Sequence, residues 1–122
     1  MSRFNAFEER WLKSFAADIP KTLLQRYVYD DGNFIWHVFS WKLKPEGSFL
    51  TGDAARQAFD AADKHDAEYG GPWFCKNFRP PKSPTAVELD KRMECYAMSL
   101  SGKWTYIKTH ESEFGPYFYR LA

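Results

Sequence analysis

Apolar side chains recur at steps of three and four near the start of the chain: Phe4, Phe7, Trp11 and Phe15, with Leu12 beside them. That spacing is one stripe of an amphipathic helix. Asn5 can cap it, and Glu8 and Glu9 stand in the early turns, where the helix dipole favours acids. Pro20 pushes Ile19 out of helical geometry and ends the helix. Lys21 to Gln25 can add one further turn. Arg26 to Tyr29 then reads as a short strand and Asp30 to Asn33 as turn chemistry. Phe34 to Trp41 follows, apolar on both faces of a strand. Ile35, His37, Phe39 and Trp41 would face one side, and Phe34, Trp36 and Val38 the other. The pattern therefore predicts a β-hairpin over residues 26–41, its second strand central in a sheet.

Pro45 to Ser48 is a loop. Thr51 can cap a second helix running to about His65, with Asp53 in its first turn. Its stripe of Ala55, Ala58, Phe59 and Ala62 is mostly small, so it should lie close against a sheet. Gly70 to Pro72 breaks the chain, Trp73 to Cys75 reads as a short strand, and Arg79 to Pro84 as an extended loop. Ser83 before Pro84 signals a helix start, with a short helix from Thr85 to Asp90. Cys95 to Leu100 and Trp104 to Thr109 flank a short Ser101-Gly-Lys103 gap, a hairpin signal. Gly115-Pro116 marks a turn and Tyr117 to Tyr119 a final strand. The expected fold is a single α+β domain over residues 1–122. It has a mainly antiparallel sheet of about four to six strands packed on two or three helices.

Composition strengthens the expectation of a core. The chain holds 11 Phe, 7 Tyr and 5 Trp, 19% of its 122 residues, which excludes a disordered chain. A net charge of +1 lacks the basic excess of a dedicated nucleic-acid binder, so nucleic acid is not the expected partner. No run approaches the ~20 apolar residues that span a membrane. Arg3, Glu8, Glu9 and Arg10 near the start, with no uninterrupted apolar stretch after them, do not read as a secretory signal, so the cytoplasm is the expected compartment. Cys75 and Cys95 are far apart in sequence and lack CxxC spacing, which favours two thiols over a disulfide and offers no zinc site. There is no glycine-rich phosphate loop, nucleophile elbow or HExxH string, and neither cofactor nor metal is expected.

Three histidines carry the candidate chemistry. His37 sits within the apolar run, where a core histidine bonded to backbone is the simpler reading. His110 ends a predicted strand beside Glu111, but neighbours on a strand point to opposite faces. His65 lies among Asp63, Asp66 and Glu68 and should be solvated. A ribonuclease-like site would need His37 and His110 to converge with Lys108 as the phosphate cation. Charge is also uneven. Residues 52–68 hold five acids, Asp53, Asp60, Asp63, Asp66 and Glu68, against Arg56 and Lys64. Such a helix could dock a basic partner. Residues 76–108 are net basic, and Lys76 to Lys82, near Trp73, Phe74 and Phe78, could form a stacking groove for single-stranded nucleic acid.

Phe34-Ile-Trp-His-Val-Phe-Ser-Trp41, Gly52-Asp-Ala-Ala-Arg-Gln-Ala-Phe-Asp60 and Lys103-Trp-Thr-Tyr-Ile-Lys-Thr-His-Glu111, the last followed by Gly115-Pro-Tyr-Phe118, together resemble a family of small, uncharacterised bacterial proteins. The resemblance runs over residues 26 to 120, and from Gly70 to Pro84 the chain departs from the family's pattern. It implies a bacterial setting and a whole-domain fold, and no catalytic residue. Small bacterial domains of this kind are often immunity proteins. The leading expectation is thus a non-enzymatic protein that binds and neutralises a partner toxin, such as a nuclease, through Asp53, Asp60, Asp63, Asp66 and Glu68. The alternatives are a small ribonuclease-like or nucleotide-directed enzyme using His37 and His110, and a single-stranded nucleic-acid-binding module.

Overall fold

The computed structural model describes residues 4–29, 34–45, 47–72, 84–111 and 115–121. The first helix, α1 (Ala6–Phe15), begins as expected. Asn5 caps it through the Glu8 amide, and the Glu8 carboxylate reaches back to the Asn5 amide, a reciprocal capping box. Short helices α2 (Lys21–Leu24) and α3 (His37–Ser40) follow, with a π-helical turn over Gln25–Tyr29. After β1 (Phe49–Thr51) come α4 (Gly52–Ala61), β2 (Glu68–Gly70), α5 (Ala86–Asp90), β3 (Cys95–Ser99), β4 (Trp104–Lys108) and β5 (Tyr117–Arg120).

The strands form one antiparallel sheet in the order β1-β5-β4-β3-β2. This is the α+β domain that the pattern predicts. Its two faces are both covered. Tyr96, Met98, Ile107 and Tyr117 join Phe7, Trp11, Phe15, Val38 and Phe39 in one core, under α1 and α3. Cys95, Ala97, Trp104, Tyr106 and Phe118 join Ala55, Phe59, Ala86 and Leu89 in the other, under α4 and α5. The predicted stripe of α4 holds: Ala55 and Phe59 are buried, with Ala58 and Ala62 packed against them. Small residues let the helix approach, so that Phe59 stacks on Tyr106 at 4.5 Å between ring centroids.

The predicted hairpin over residues 26–41 is not a hairpin. Its first strand is the π-helical turn and its second is a turn entering α3; the Asp30–Asn33 turn lies outside the described residues. Ile35, Trp36, Val38 and Phe39 are all buried. A short run apolar on every side suits a buried helical turn as well as a central strand, and periodicity does not separate them. The central positions belong instead to β3 and β4. The second helix also stops at Ala61, four residues before the expected His65, so only Asp53 and Asp60 of the acidic set lie on it. Glu68–Gly70, where the pattern predicts no strand and Gly70 was expected to break the chain, forms an edge strand. The Trp73–Cys75 strand and most of the Arg79–Pro84 loop lie outside the described residues.

Trp11 fixes α1 to the sheet. Its indole N–H donates to Thr105 Oγ1 at 2.7 Å, and that hydroxyl donates to the Ala97 carbonyl at 2.8 Å. Thr105→Val keeps the shape and removes both bonds, leaving a buried indole N–H unsatisfied. The expected loss is about 1–3 kcal/mol in a denaturant titration. A loss near zero would mean that the indole finds water instead.

Candidate functional site

The polar groups gathered beneath α1 were only partly visible in the sequence. Glu94 precedes β3 and shares a face with Tyr96 and Met98, so its carboxylate turns into the core and is fully enclosed. The Tyr96 hydroxyl donates to one of its oxygens. The other accepts the His110 amide at 3.0 Å and lies 2.5 Å from His110 Nδ1. His110 Nε2 stands 3.8 Å from Glu111 Oε1, too far for a hydrogen bond. Glu8 lies in the same layer, only 2% exposed. Burial pushes its carboxyl up to about 7, with the negative charge of Glu94 adding and the Asn5 amide opposing. One signal for Glu8 was present: it stands four residues after Phe4 and three before Trp11, on the apolar stripe itself. Glu94 carries the same signal at period two, alternating with Tyr96 and Met98.

His37 is buried, and its Nδ1–H donates to the Tyr27 carbonyl at 2.8 Å. Both imidazoles pack on one aromatic pair. Trp36 lies 4.6 Å from the His37 ring and 5.8 Å from the His110 ring, and Phe34 5.6 Å and 5.1 Å from them. Lys108 does not join them. Strand alternation places it on the opposite face with Tyr106, and its amine donates to the Arg92 and Met93 carbonyls at 2.7 and 3.0 Å. The two histidines are thus brought near each other without the phosphate cation that a ribonuclease-like site requires.

Each carboxylate of the acidic set has an internal partner. Asp53 pairs with Arg56 at 2.7 Å. Asp60 accepts the Ala86 amide at 2.7 Å, at the start of α5. Asp63 pairs with His65 at 3.1 Å, and Glu68 with Arg10 at 2.8 Å. Asp66 accepts the Ser99 and Ser101 hydroxyls, which hold its carboxyl below the usual range. The set is spread over α4, the loop after it and β2. Lys76 to Lys82, with Trp73, Phe74, Phe78 and Cys75, lies outside the described residues; Cys95 is buried. Among the described residues no group of His, Cys, Asp and Glu could hold a metal ion, and no helix is long and apolar enough to cross a membrane.

A different surface stands out. Lys42 ends α3 in a left-handed conformation, φ 56°, and the Leu43 amide returns to the Val38 carbonyl at 3.0 Å. This reversal leaves Trp41 outside the core, 52% exposed. Its ring meets Tyr27 at 5.3 Å, and the Arg26 guanidinium lies 5.3 Å from the Tyr27 centroid. His37 holds the Tyr27 backbone from beneath. Sequence reasoning missed this trio because it placed Trp41 in a strand, facing the core with Phe39.

The buried Glu8 makes stability depend on pH. Its carboxyl is raised from 4.5 to about 7, so the folded chain binds the proton more tightly than the unfolded one. Stability is greatest below about pH 4.5 on this account and falls as pH rises to about 7, by about 3 kcal/mol in all. Glu8→Gln keeps an acceptor for the Asn5 amide and removes the charge. Denaturant midpoints measured between pH 5 and pH 8 should fall in the wild type and flatten in the variant. Equal slopes would overturn the assignment.

No curated protein and no solved structure matches the chain. The model of one family, Domain of unknown function (DUF4275), matches residues 1–118, and the chain belongs to that family.

Proposed function

We propose that this chain is a bacterial immunity-type protein that docks on a partner toxin and neutralises it without chemistry of its own. The observation that supports the reading is the cluster of Arg26, Tyr27 and Trp41 in mutual contact at the surface. Tryptophan, tyrosine and arginine are the side chains that dominate binding hot spots. The bacterial setting and the toxin partner rest on the sequence resemblance, and the stack supports binding as such. An acid–base enzyme built on His37 and His110 fits less well, because His37 is engaged with backbone and Lys108 sits across the sheet. The acidic set of Asp53, Asp60, Asp63, Asp66 and Glu68 would suit the rim of a contact with a basic toxin such as a nuclease. Charges placed at a rim speed encounter more than they tighten binding.

The test is protection of cells that co-express the chain with the protein encoded beside it. Wild-type chain should restore growth. Trp41→Ala, a change at an exposed position, should leave the fold intact by circular dichroism and abolish protection, with a loss of affinity of about tenfold or more. RNA cleavage by the purified chain that disappears in His110→Ala would replace this reading with the enzyme.

A further inference from the structure

We infer that a groove between α3 and β1 binds a small neutral ligand, an aromatic ring carrying one or two hydroxyl groups. The site does not depend on the partner being a toxin. The groove holds about 380 Å³. Three rings from three elements line it: Phe39 of α3, Phe49 of β1 and Tyr117 of β5. They pack on one another, with centroids 5.0, 5.1 and 5.7 Å apart. Three hydroxyl-bearing side chains line the same space, those of Ser40, Thr51 and Tyr117. Strand alternation puts Thr51 on the same face of β1 as Phe49. Thr51 stands at the start of α4 but makes no capping bond to it. Among the described residues none of the three hydroxyls has a hydrogen-bond partner. For Tyr117 this is unusual, because an enclosed hydroxyl normally finds a partner inside the protein. Tyr117 is only 4% exposed, and its oxygen is left open to solvent beside the groove that the ring lines. Burial pushes the phenol up to about 12, so it stays protonated and able to donate.

The lining decides what fits. Aromatic walls with a few polar groups are the usual make-up of a small-molecule site, and the volume lies within the range of such sites. A bare hydrocarbon ring would cover the Tyr117 hydroxyl and strip it of water without replacing the bond, which costs affinity. A sugar ring brings more hydroxyls than three side chains can satisfy once its face covers the aromatic wall. A charged ligand would need a counter-ion. Among the described residues the charged side chain lining the groove is Lys42, and it already has a partner. A ring with one or two hydroxyls meets each condition. Its ring packs on Phe39 and Phe49 in the tilted arrangements that aromatic pairs favour. Its hydroxyl accepts from Tyr117 and donates to Ser40 or Thr51, since each of these oxygens serves as donor and acceptor.

The test titrates the full chain with phenol, benzene or benzoate and follows backbone amide shifts by NMR. Phenol should give saturable shifts at Ser40, Phe49, Thr51 and Tyr117, with a Kd of about 1 mM. Benzene and benzoate should each bind about tenfold more weakly. Tyr117→Phe removes an oxygen that no described residue bonds, so the fold should persist by circular dichroism. In that variant phenol should weaken by about tenfold while benzene holds, so that the two ligands converge. Should Tyr117→Phe disturb the fold, Ser40→Ala gives the same reading, with phenol weakened by about threefold and benzene unchanged. The inference falls if phenol in tenfold excess over that Kd leaves the four amides unmoved. It also falls if benzoate binds as well as phenol, or if the folded variant binds phenol as tightly as the wild type.

Discussion

Strands β3 and β4 are buried on both faces, and every polar group they carry has to find its partner away from water. The partners they find set the positions of the surrounding elements. Thr105 takes the Trp11 indole and so holds α1. Tyr106 donates to Asp90, at the end of α5, and Asp90 in turn receives the Arg56 guanidinium from α4 at 2.6 Å. Ser99 donates to Asp66 at 2.6 Å and accepts the Gly102 amide at 3.0 Å, tying the loop after α4 to the β3–β4 turn. The sheet thus specifies the packing of its covering helices through a few directional bonds, while the aromatic rings supply the buried area.

Seating α1 on Thr105 carries Glu8 into the same layer as Glu94. Two carboxylates in one apolar layer repel, and both lose hydration. The layer accommodates them unequally. Glu94 has the Tyr96 hydroxyl and both the ring and the amide of His110. Glu8 accepts the Asn5 amide at 3.1 Å, and its carboxyl answers burial by holding its proton more tightly. A histidine at the end of β4 therefore has a structural duty, to satisfy the better-bonded of the two acids.

The elements legible in the sequence are those with one dominant period or a local cap. Asn5 and Glu8 announced α1, and the stripe from Phe4 to Phe15 set its buried face. The strand–turn–strand pattern of Cys95 to Thr109 marked the hairpin, and the small stripe from Ala55 to Ala62 marked a helix close to the sheet. Phe34 to Trp41 failed because it is apolar all round, and its aromatic and β-branched residues mimic strand propensity. That single misreading also turned Trp41 inward and hid the surface it forms with Tyr27. The acidic set was legible as charge, but its internal partners were not. Arg10 with Glu68, and Ser99 with Asp66, meet only after the sheet has brought distant segments together.

The reversal after α3 ties an exposed ring to the core. Trp41 is thrown outward by the left-handed Lys42, and Lys42 itself lines the groove beside β1. The Leu43 amide bonded to Val38 fixes that reversal to a helix whose Val38 and Phe39 are buried in the core. Phe39 in turn meets Phe49 of β1 at 5.0 Å between ring centroids. The exposed Trp41 ring and strand β1 are therefore both anchored, through α3, on the same aromatic core. Trp41 thus takes its outward position from Val38 and Phe39, which are buried on the short helix that it ends.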